Sequence, residues 1–564
     1  MRLRLCRVVL IALLLSYSAL ARIAFTDPAP LNSNAATDSE HDFDPHLATD
    51  GDDTFVVVWG SEESLDADDD DDKDIIFSRS TNDGGTWSSV ANLNNGAADD
   101  SDEDEQPDIA AAGSTCIVVW ISEKDAGAGD DVDNDVFFSR STNGGSTWSS
   151  SAPIHVNETA DGFNSDSNPR VATDGEGYWV CVWSSTRPLT HTGQFDLDIV
   201  YSRSTDDGVT WSAPAHLNSN AVNATGFDYE PFVASNGDDE WIVVWHSTDD
   251  LAGGVSDDDD ILVSYSTNDG QSWSDADFLN TDHAVDEGES PIGNEDNVQA
   301  LHLDGNDWMV TWDRVSSDEF DLGMIARSTD GGQSWSPPAG LEIPDLEKAG
   351  FGGLNQFRSL RYRRYGKGAA DPVVITSFTS DISAEEPPAN KATSGNDYDI
   401  RSKISTDGGK TWTDSEFINT NAFSDTGDDE SSEIACDNDG NIVIVWSSFN
   451  ALGNTVGDAD IVFARTSAVK FTELLTPNGG EKWKRGKNEK IKWSTNLESS
   501  EKVRLDLYRN GNKVQTIKNA TPNDGAFKWK VPNNIQKGGK YQVGITLKSD
   551  ASVDDVSLYN FNVK

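Results

Sequence analysis

Seven times this chain sets two acidic residues two positions apart, directly ahead of an apolar run. They are Asp72 and Asp74, Asp133 and Asp135, Asp196 and Asp198, Asp258 and Asp260, Glu319 and Asp321, Asp397 and Asp399, Asp458 and Asp460. Alternate residues of a strand point the same way, so such a pair could share a hard cation such as Ca2+, with backbone carbonyls and water completing the shell. Asp72, Asp74, Asp133, Asp135, Asp258 and Asp260 are the candidate ligands for calcium. The alternative, left open here, is that Asp caps the loop through backbone hydrogen bonds and otherwise stays solvated. None of the acidic runs fits an EF-hand loop; Asp66 to Asp71, for one, lacks glycine at its sixth position. No phosphate loop, zinc spacing or haem motif is present, and none of the eight histidines stands in a nucleophile motif.

A second set of residues varies where its neighbours do not. After a strand-opening proline the chain places His46, Asp108, Arg170 and Phe232 in turn; Glu433 aligns with them in a segment that lacks the proline. Arg358 or Arg361 occupies the corresponding place in an irregular sixth segment. Mixed charge at one repeated position suits a polar ligand, and His46, Asp108, Phe232 and Glu433 are the candidate ligand contacts.

The elements that must position these residues recur in a fixed order. A short Pro-led strand comes first, then an apolar strand ending in Trp59, Trp120, Trp183, Trp245, Trp312 or Trp446, then the strand behind the acidic pair. The third strand runs into a box of the form Ser-Thr-(Asp/Asn)-x-Gly-x-(Thr/Ser)-Trp, first at Ser80 to Trp87 and five more times, ending at Trp148, Trp211, Trp273, Trp335 and Trp412. The box tryptophans are 61, 63, 62, 62 and 77 residues apart, a period suited to a four-stranded blade. In the box, Asx turns and a glycine that tolerates positive φ make a hairpin tip, and the Trp buries between sheets. Arg79, Arg140, Arg203 and Arg327 recur before the boxes and read as structural.

The third-strand element occurs seven times and the box six. The outer strand missing from the last unit is supplied by Pro28 to Ala35, which matches the post-box stretch Ala215 to Ala221. The expected fold is all-β: a seven-bladed β-propeller closed by its N-terminal strand, followed by a small Ig-like β-sandwich. The acidic loops then gather on one face and the boxes on the other. The Pro-led strands border the central funnel.

The boxes resemble the Asp-box (BNR) repeat of the sialidase superfamily. That resemblance implies structural boxes facing away from any active site, and six blades where this chain has seven units. It also implies three arginines on a substrate carboxylate, an Asp acid and a Tyr nucleophile. Residue by residue, Arg170, Arg358 and Arg361 could supply guanidinium forks and Tyr362 or Tyr365 the nucleophile. The family's Arg-Ile-Pro motif has only Arg22-Ile-Ala24 as an approximation.

Composition narrows the partners. A formal charge of −56 would repel nucleic acid and anionic membranes. Residues 1–21 read as an export signal, with Arg2, Arg4 and Arg7, an apolar run from Val8 to Leu15 and Ala19-Leu-Ala21 as the cleavage site. That run is too short for a transmembrane anchor, so the protein is expected outside the cell, released or held by contacts. Cys116, Cys181 and Cys436 lie on strand-like segments of different repeats and read as buried free thiols. Residues 22–469 form the propeller in this division and 470–564 the tail, where 18 Lys plus Arg against 10 Asp plus Glu give +8 and leave −64 for the rest. The tail resembles the Ig-like domain of yeast cell-wall glucan-assembly proteins, which implies an accessory or attachment module. The leading expectation is glycan or cell-surface ligand binding, calcium-assisted in one form; the alternatives are a sialidase-like exo-glycosidase and a structural surface protein. Oligomeric state is not readable from the sequence.

Overall fold

A computed structural model describes residues 25–32, 40–62, 73–93, 102–123, 134–154, 165–186, 197–217, 226–249, 251, 255–280, 295–315, 321–340, 360–362, 373–381, 398–405, 407–413, 415–419, 427–438, 440–450, 458–466, 472–477, 481–495, 501–549, 554–557 and 561–564. The chain divides into two units, one spanning Phe25–Tyr365 with Ala370–Ala468 and the other containing Val469–Lys564.

Among the described residues the first unit contains seven four-stranded antiparallel sheets. Sheet one is Asp42–Thr49, Phe55–Ser61, Asp74–Ser80 and Ala91–Asn92, paired in that order. Sheets two to six repeat the arrangement, opening with Asp104–Ala112, Asp166–Thr173, Asp228–Ser235, Glu295–Asp304 and Leu360–Tyr362. Sheet seven has Asp429–Cys436, Ile442–Ser448 and Asp460–Arg465, and its fourth strand is Ala29–Pro30, with Ala29 opposite Phe463 and Pro30 opposite Val462. The first strand of each sheet packs on that of the next, and the first strand of sheet seven packs on that of sheet one.

Second strands such as Phe55–Ser61 and Trp179–Ser185 are buried along their whole length. A sheet on either side covers both their faces, which is why they read as continuous apolar runs rather than alternating ones. The seam between sheets seven and one has its own core of Leu31, Leu47, Trp59, Val443, Val445 and Ile461.

The boxes work as hairpin tips and also as clasps. In the first, Ser80 Oγ accepts from Gly84 N (3.1 Å) and Asn82 Oδ1 accepts from Thr86 N (2.8 Å). Four of the box tryptophans land edge-on against the third-strand aromatic of the preceding sheet: Trp148 on Phe77, Trp211 on Phe138, Trp273 on Tyr201, and Trp87 on Phe463. The pre-box arginine reaches forward to the next box, as Arg140 does to Asp207 O (2.6 Å) and Oδ2 (2.8 Å). Arg465 of sheet seven does the same to Asp83 O in the first box (3.2 Å).

The second unit is a pair of sheets around Trp483, Ile491, Trp493, Leu505, Trp529 and Tyr541. Trp493 Nε1 donates to Asn523 Oδ1 (2.7 Å), so its indole is buried without an orphaned N–H.

Candidate functional site: a polar cavity ringed by first strands

Six of the seven first strands make the same irregularity, the short Leu360–Tyr362 of sheet six being the exception among the described residues. Register shifts between Phe43 and His46, Glu105 and Asp108, Ser167 and Arg170, Tyr229 and Phe232, Asp296 and Gln299, and Glu430 and Glu433. At every shift one residue is left-handed: Asp44 (φ 49°), Gln106 (55°), Asn168 (52°), Glu230 (45°), Asn297 (51°) and Ser431 (53°). A bulge of this kind turns the strand and re-aims the side chains around it, and the cost of positive φ in non-glycine residues marks the place as constrained. Four of the six precede proline, a residue that disfavours the right-handed helical region just before it.

Residues of these bulges line a cavity of about 230 Å³, including Asp44, His46, Gln106, Asn168, Arg170, Glu230, Phe232, Gln299 and Glu433. A second space of about 620 Å³ is lined by the small residues Ala110, Ala111, Ala172, Ala234 and Ala300. Arg170 and Phe232 line both.

The candidate ligand contacts His46, Asp108 and Glu433 come together with Arg170, the candidate guanidinium fork. His46 Nδ1 lies 3.1 Å from Asp108 Oδ1 and 4.0 Å from Glu433 Oε1, and Arg170 Nη1 lies 3.2 Å from His46 Nε2. A guanidinium can only donate, so Nε2 accepts and the proton of a neutral His46 sits on Nδ1, toward Asp108. Asp108 Oδ2 accepts from Val171 N (2.7 Å). Burial works against ionisation of Asp108, but the His46 contact and charge, Arg170 and the Val171 N–H together hold its carboxyl below the ordinary 3.8. This network joins four sheets through side chains adjacent to the bulges. Phe232 lines the same cavity.

The remaining expected residues fall elsewhere. Arg361 and Tyr362 lie on the first strand of sheet six, opposite Ile375 and Val374, between the first strands of sheets five and seven. Arg358 and Tyr365 lie outside the described residues, as do residues 1–24 with the export signal, most of the acidic runs, Asp72 and Asp133. Asp74 and Asp135 each begin a third strand, Asp260 lies inside the third strand Val255–Ser266, and all three are buried. Asp258 lies on the strand that contains Asp260.

The buried acidic position has a use that sequence reading missed. Asn280 Nδ2 donates to Asp260 Oδ1 (2.6 Å). Asn419 Nδ2 donates to Asp399 Oδ1 (2.6 Å) and to Asp429 Oδ2 at the head of the next sheet (2.7 Å). Asn32 Nδ2 likewise donates to Asp460 Oδ1 of sheet seven and Asp42 Oδ2 of sheet one, both at 2.9 Å. An asparagine two residues past the fourth strand thus holds the acidic residue of its sheet, and at Asn32 and Asn419 clips two sheets together. The signal was present as Leu31-Asn32, Leu279-Asn280 and Ile418-Asn419. Among the described residues no group of three or more His, Cys, Asp or Glu is placed to hold a metal ion. Cys116, Cys181 and Cys436 are free and buried; burial pushes the Cys116 thiol up to about 12.

Comparison with known proteins agrees with the repeat. Residues 114–358 match the BNR repeat-like domain, residues 403–414 the BNR/Asp-box repeat, and residues 476–561 the Kre9/KNH-like N-terminal Ig-like domain. No curated protein matches the chain. Similar solved structures include a Hadza microbial sialidase at 15% identity and TM-score 0.39, covering 76% of this chain and 66% of that one. Trypanosoma rangeli sialidase aligns at 13% identity and TM-score 0.37, over 78% of this chain and 58% of its own. A GH93 alpha-L-arabinofuranosidase of Fusarium graminearum in complex with arabinobiose aligns at 12% identity and TM-score 0.38, over 78% and 98%. This chain therefore spans less than two thirds of the length of either sialidase. The chain thus carries BNR/Asp-box repeats followed by a Kre9/KNH-like Ig-like domain.

Proposed function

We propose that the seven sheets form a closed seven-bladed propeller, completed by the N-terminal strand, that acts outside the cell as a binder of glycans or other polar surface ligands. The central cavity is the binding site, and the Ig-like domain aids attachment. The observation that carries this reading is the convergence of His46, Arg170, Glu230, Phe232, Gln299 and Glu433, from five different sheets, on one cavity beside an ordered row of bulges. Few polar groups placed on rigid strands next to one aromatic wall are what an oriented polar ligand needs.

A hydrolytic reading is favoured by one separate observation, the position of Arg361 and Tyr362 on the first strand of sheet six, flanked by two sheets that line the cavity. The two readings part on a single experiment: the full chain on a glycan array, alongside turnover of a fluorogenic sialoside. Binding without turnover, weakened about tenfold or more by Arg170→Ala, supports the binder. Turnover abolished by Tyr362→Phe supports the hydrolase. Neither binding nor turnover overturns both.

A further inference from the structure

The Ig-like unit is basic where the rest of the chain is acidic, with 18 Lys plus Arg against 10 Asp plus Glu over residues 470–564. Its cations are of two kinds. On the larger sheet the buried Asp506 takes Arg504 Nε (2.9 Å) and Lys513 Nζ (2.8 Å), so those charges are neutralised within the fold. On the smaller sheet, strands Asn488–Thr495 and Ala526–Lys530 pair antiparallel, with Lys490 directly opposite Lys528, Lys492 opposite Ala526 and Lys530 opposite Asn488. The alternate residues Ile491, Trp493 and Trp529 fill the core, so the four lysines share the outer face, and all four are exposed. Glu489 belongs to the inward set and its carboxylate accepts from Lys484 N (3.2 Å), so these two strands put no acidic residue on that face. None of the four ammonium groups has an ion-pair or hydrogen-bond partner among the described residues. With about 7 Å between alternate residues and about 5 Å between strands, they make a zigzag row about 14 Å long. Like charges set directly opposite one another destabilise a sheet, and nothing in the fold offsets Lys490 against Lys528.

From this face we propose that the Ig-like unit docks on an acidic polysaccharide, the row of ammonium groups lying along its carboxylates. This deepens the attachment reading of the tail and rests on it. Charge complementarity selects an anionic occupant. Phe527 and Trp529 pack toward the core, so the face offers no aromatic platform and recognises charge rather than the flat side of a sugar ring. Lysine presents a point charge without the planar fork of arginine, which suits anionic groups spaced along a chain. A duplex or a bilayer would bring dense negative charge against a chain whose remaining residues carry −64, whereas a single polysaccharide strand can follow the row alone. Exposed charges are individually weak and act together, so the row holds a polymer where it does not hold a short oligosaccharide.

The test is binding of the full chain to immobilised polygalacturonate, to laminarin as a neutral glucan, to duplex DNA and to anionic phospholipid vesicles. Polygalacturonate is expected to bind best, with affinity falling about tenfold or more between about 50 and 200 mM salt. Lys490→Gln combined with Lys528→Gln should weaken it about tenfold. Lys518→Gln, on the other sheet, should leave it unchanged. Lys528→Glu turns the facing pair into an attractive one, so binding is lost while the melting temperature holds or rises. If that variant melts lower, the double Gln variant decides. Polygalacturonate binding that survives the double Gln variant or ignores salt, or equal binding of DNA or vesicles, overturns the docking face. If laminarin binds and polygalacturonate does not, the face falls and attachment stands; if neither binds, both fall.

Discussion

Replacing Asn32 by alanine interrogates the joint on which the seven-sheet arrangement depends. Its amide donates to Asp42 and to Asp460, each at 2.9 Å, and the side chain is 2% exposed. The two partners are 10 and 428 residues away in the chain, so the clip exists only if the first strand completes sheet seven and sheet seven meets sheet one. A hydrogen bond to a charged group is worth about 1.5–3 kcal/mol. Two bonds from one amide are not additive and water can enter the gap, so we expect Asn32→Ala to cost about 3 kcal/mol. Asn32→Asp should cost more, since it sets a third acceptor among carboxylates. The assay is equilibrium urea unfolding followed by tryptophan fluorescence, with the slope m unchanged if only stability moves. Thr26→Ala, at an exposed contact to Arg465 N, serves as the comparison and should stay within about 0.5 kcal/mol of wild type. If Asn32→Ala is equally silent, the first strand does not join sheet seven and the reasoning fails.

Other perturbations test the parts. Because the Asp108 carboxyl is depressed in the folded state, its contribution is complete above the ordinary 3.8 and is lost as pH falls through the lower folded value. Asp108→Asn should therefore flatten the fall of melting temperature with acid below about pH 4, where wild type declines more steeply. At Gly145 (φ 74°) an alanine Cβ would sit 2.7 Å from Val56 Cγ2 of the preceding sheet, whereas at Gly175 (φ 81°) it would meet nothing within 4 Å. Both substitutions incur backbone strain of about 1–2 kcal/mol, and Gly145→Ala adds about 1–3 kcal/mol of overpacking, a difference that melting curves of the two variants should resolve. With its pKa pushed up to about 12, Cys116 should resist iodoacetamide in the native protein and react after unfolding in urea.

Much of the fold was legible because its determinants are local. The Ser-Thr-(Asp/Asn)-x-Gly box carries its own hydrogen bonds within four residues, as Ser80 with Gly84 shows. The continuous apolar second strands and the match of Pro28 to Ala35 with a post-box strand announced the strand order, and Ala29 does pair with Phe463. The variable residue after the proline was also readable, and His46, Asp108, Arg170 and Glu433 do meet. What could not be read depends on residues brought together by sheet stacking. The pairs holding Asp260 and Asp399 read as cation ligands or loop caps because nothing local reveals that Asn280 and Asn419 fold back onto them from 20 residues ahead. The bulges were hidden for a related reason: the proline after Asp44 or Gln106 disfavours the right-handed helical region but does not select the left-handed one, which goes with the bulge in the paired strand.

The most direct test is a crystal structure of the full chain with the tightest oligosaccharide from the array. The account predicts the sugar in the cavity bounded by His46, Arg170, Phe232 and Glu433. A sugar seated instead on the Asp-box turns or on the Ig-like domain, with that cavity holding only water, would contradict it.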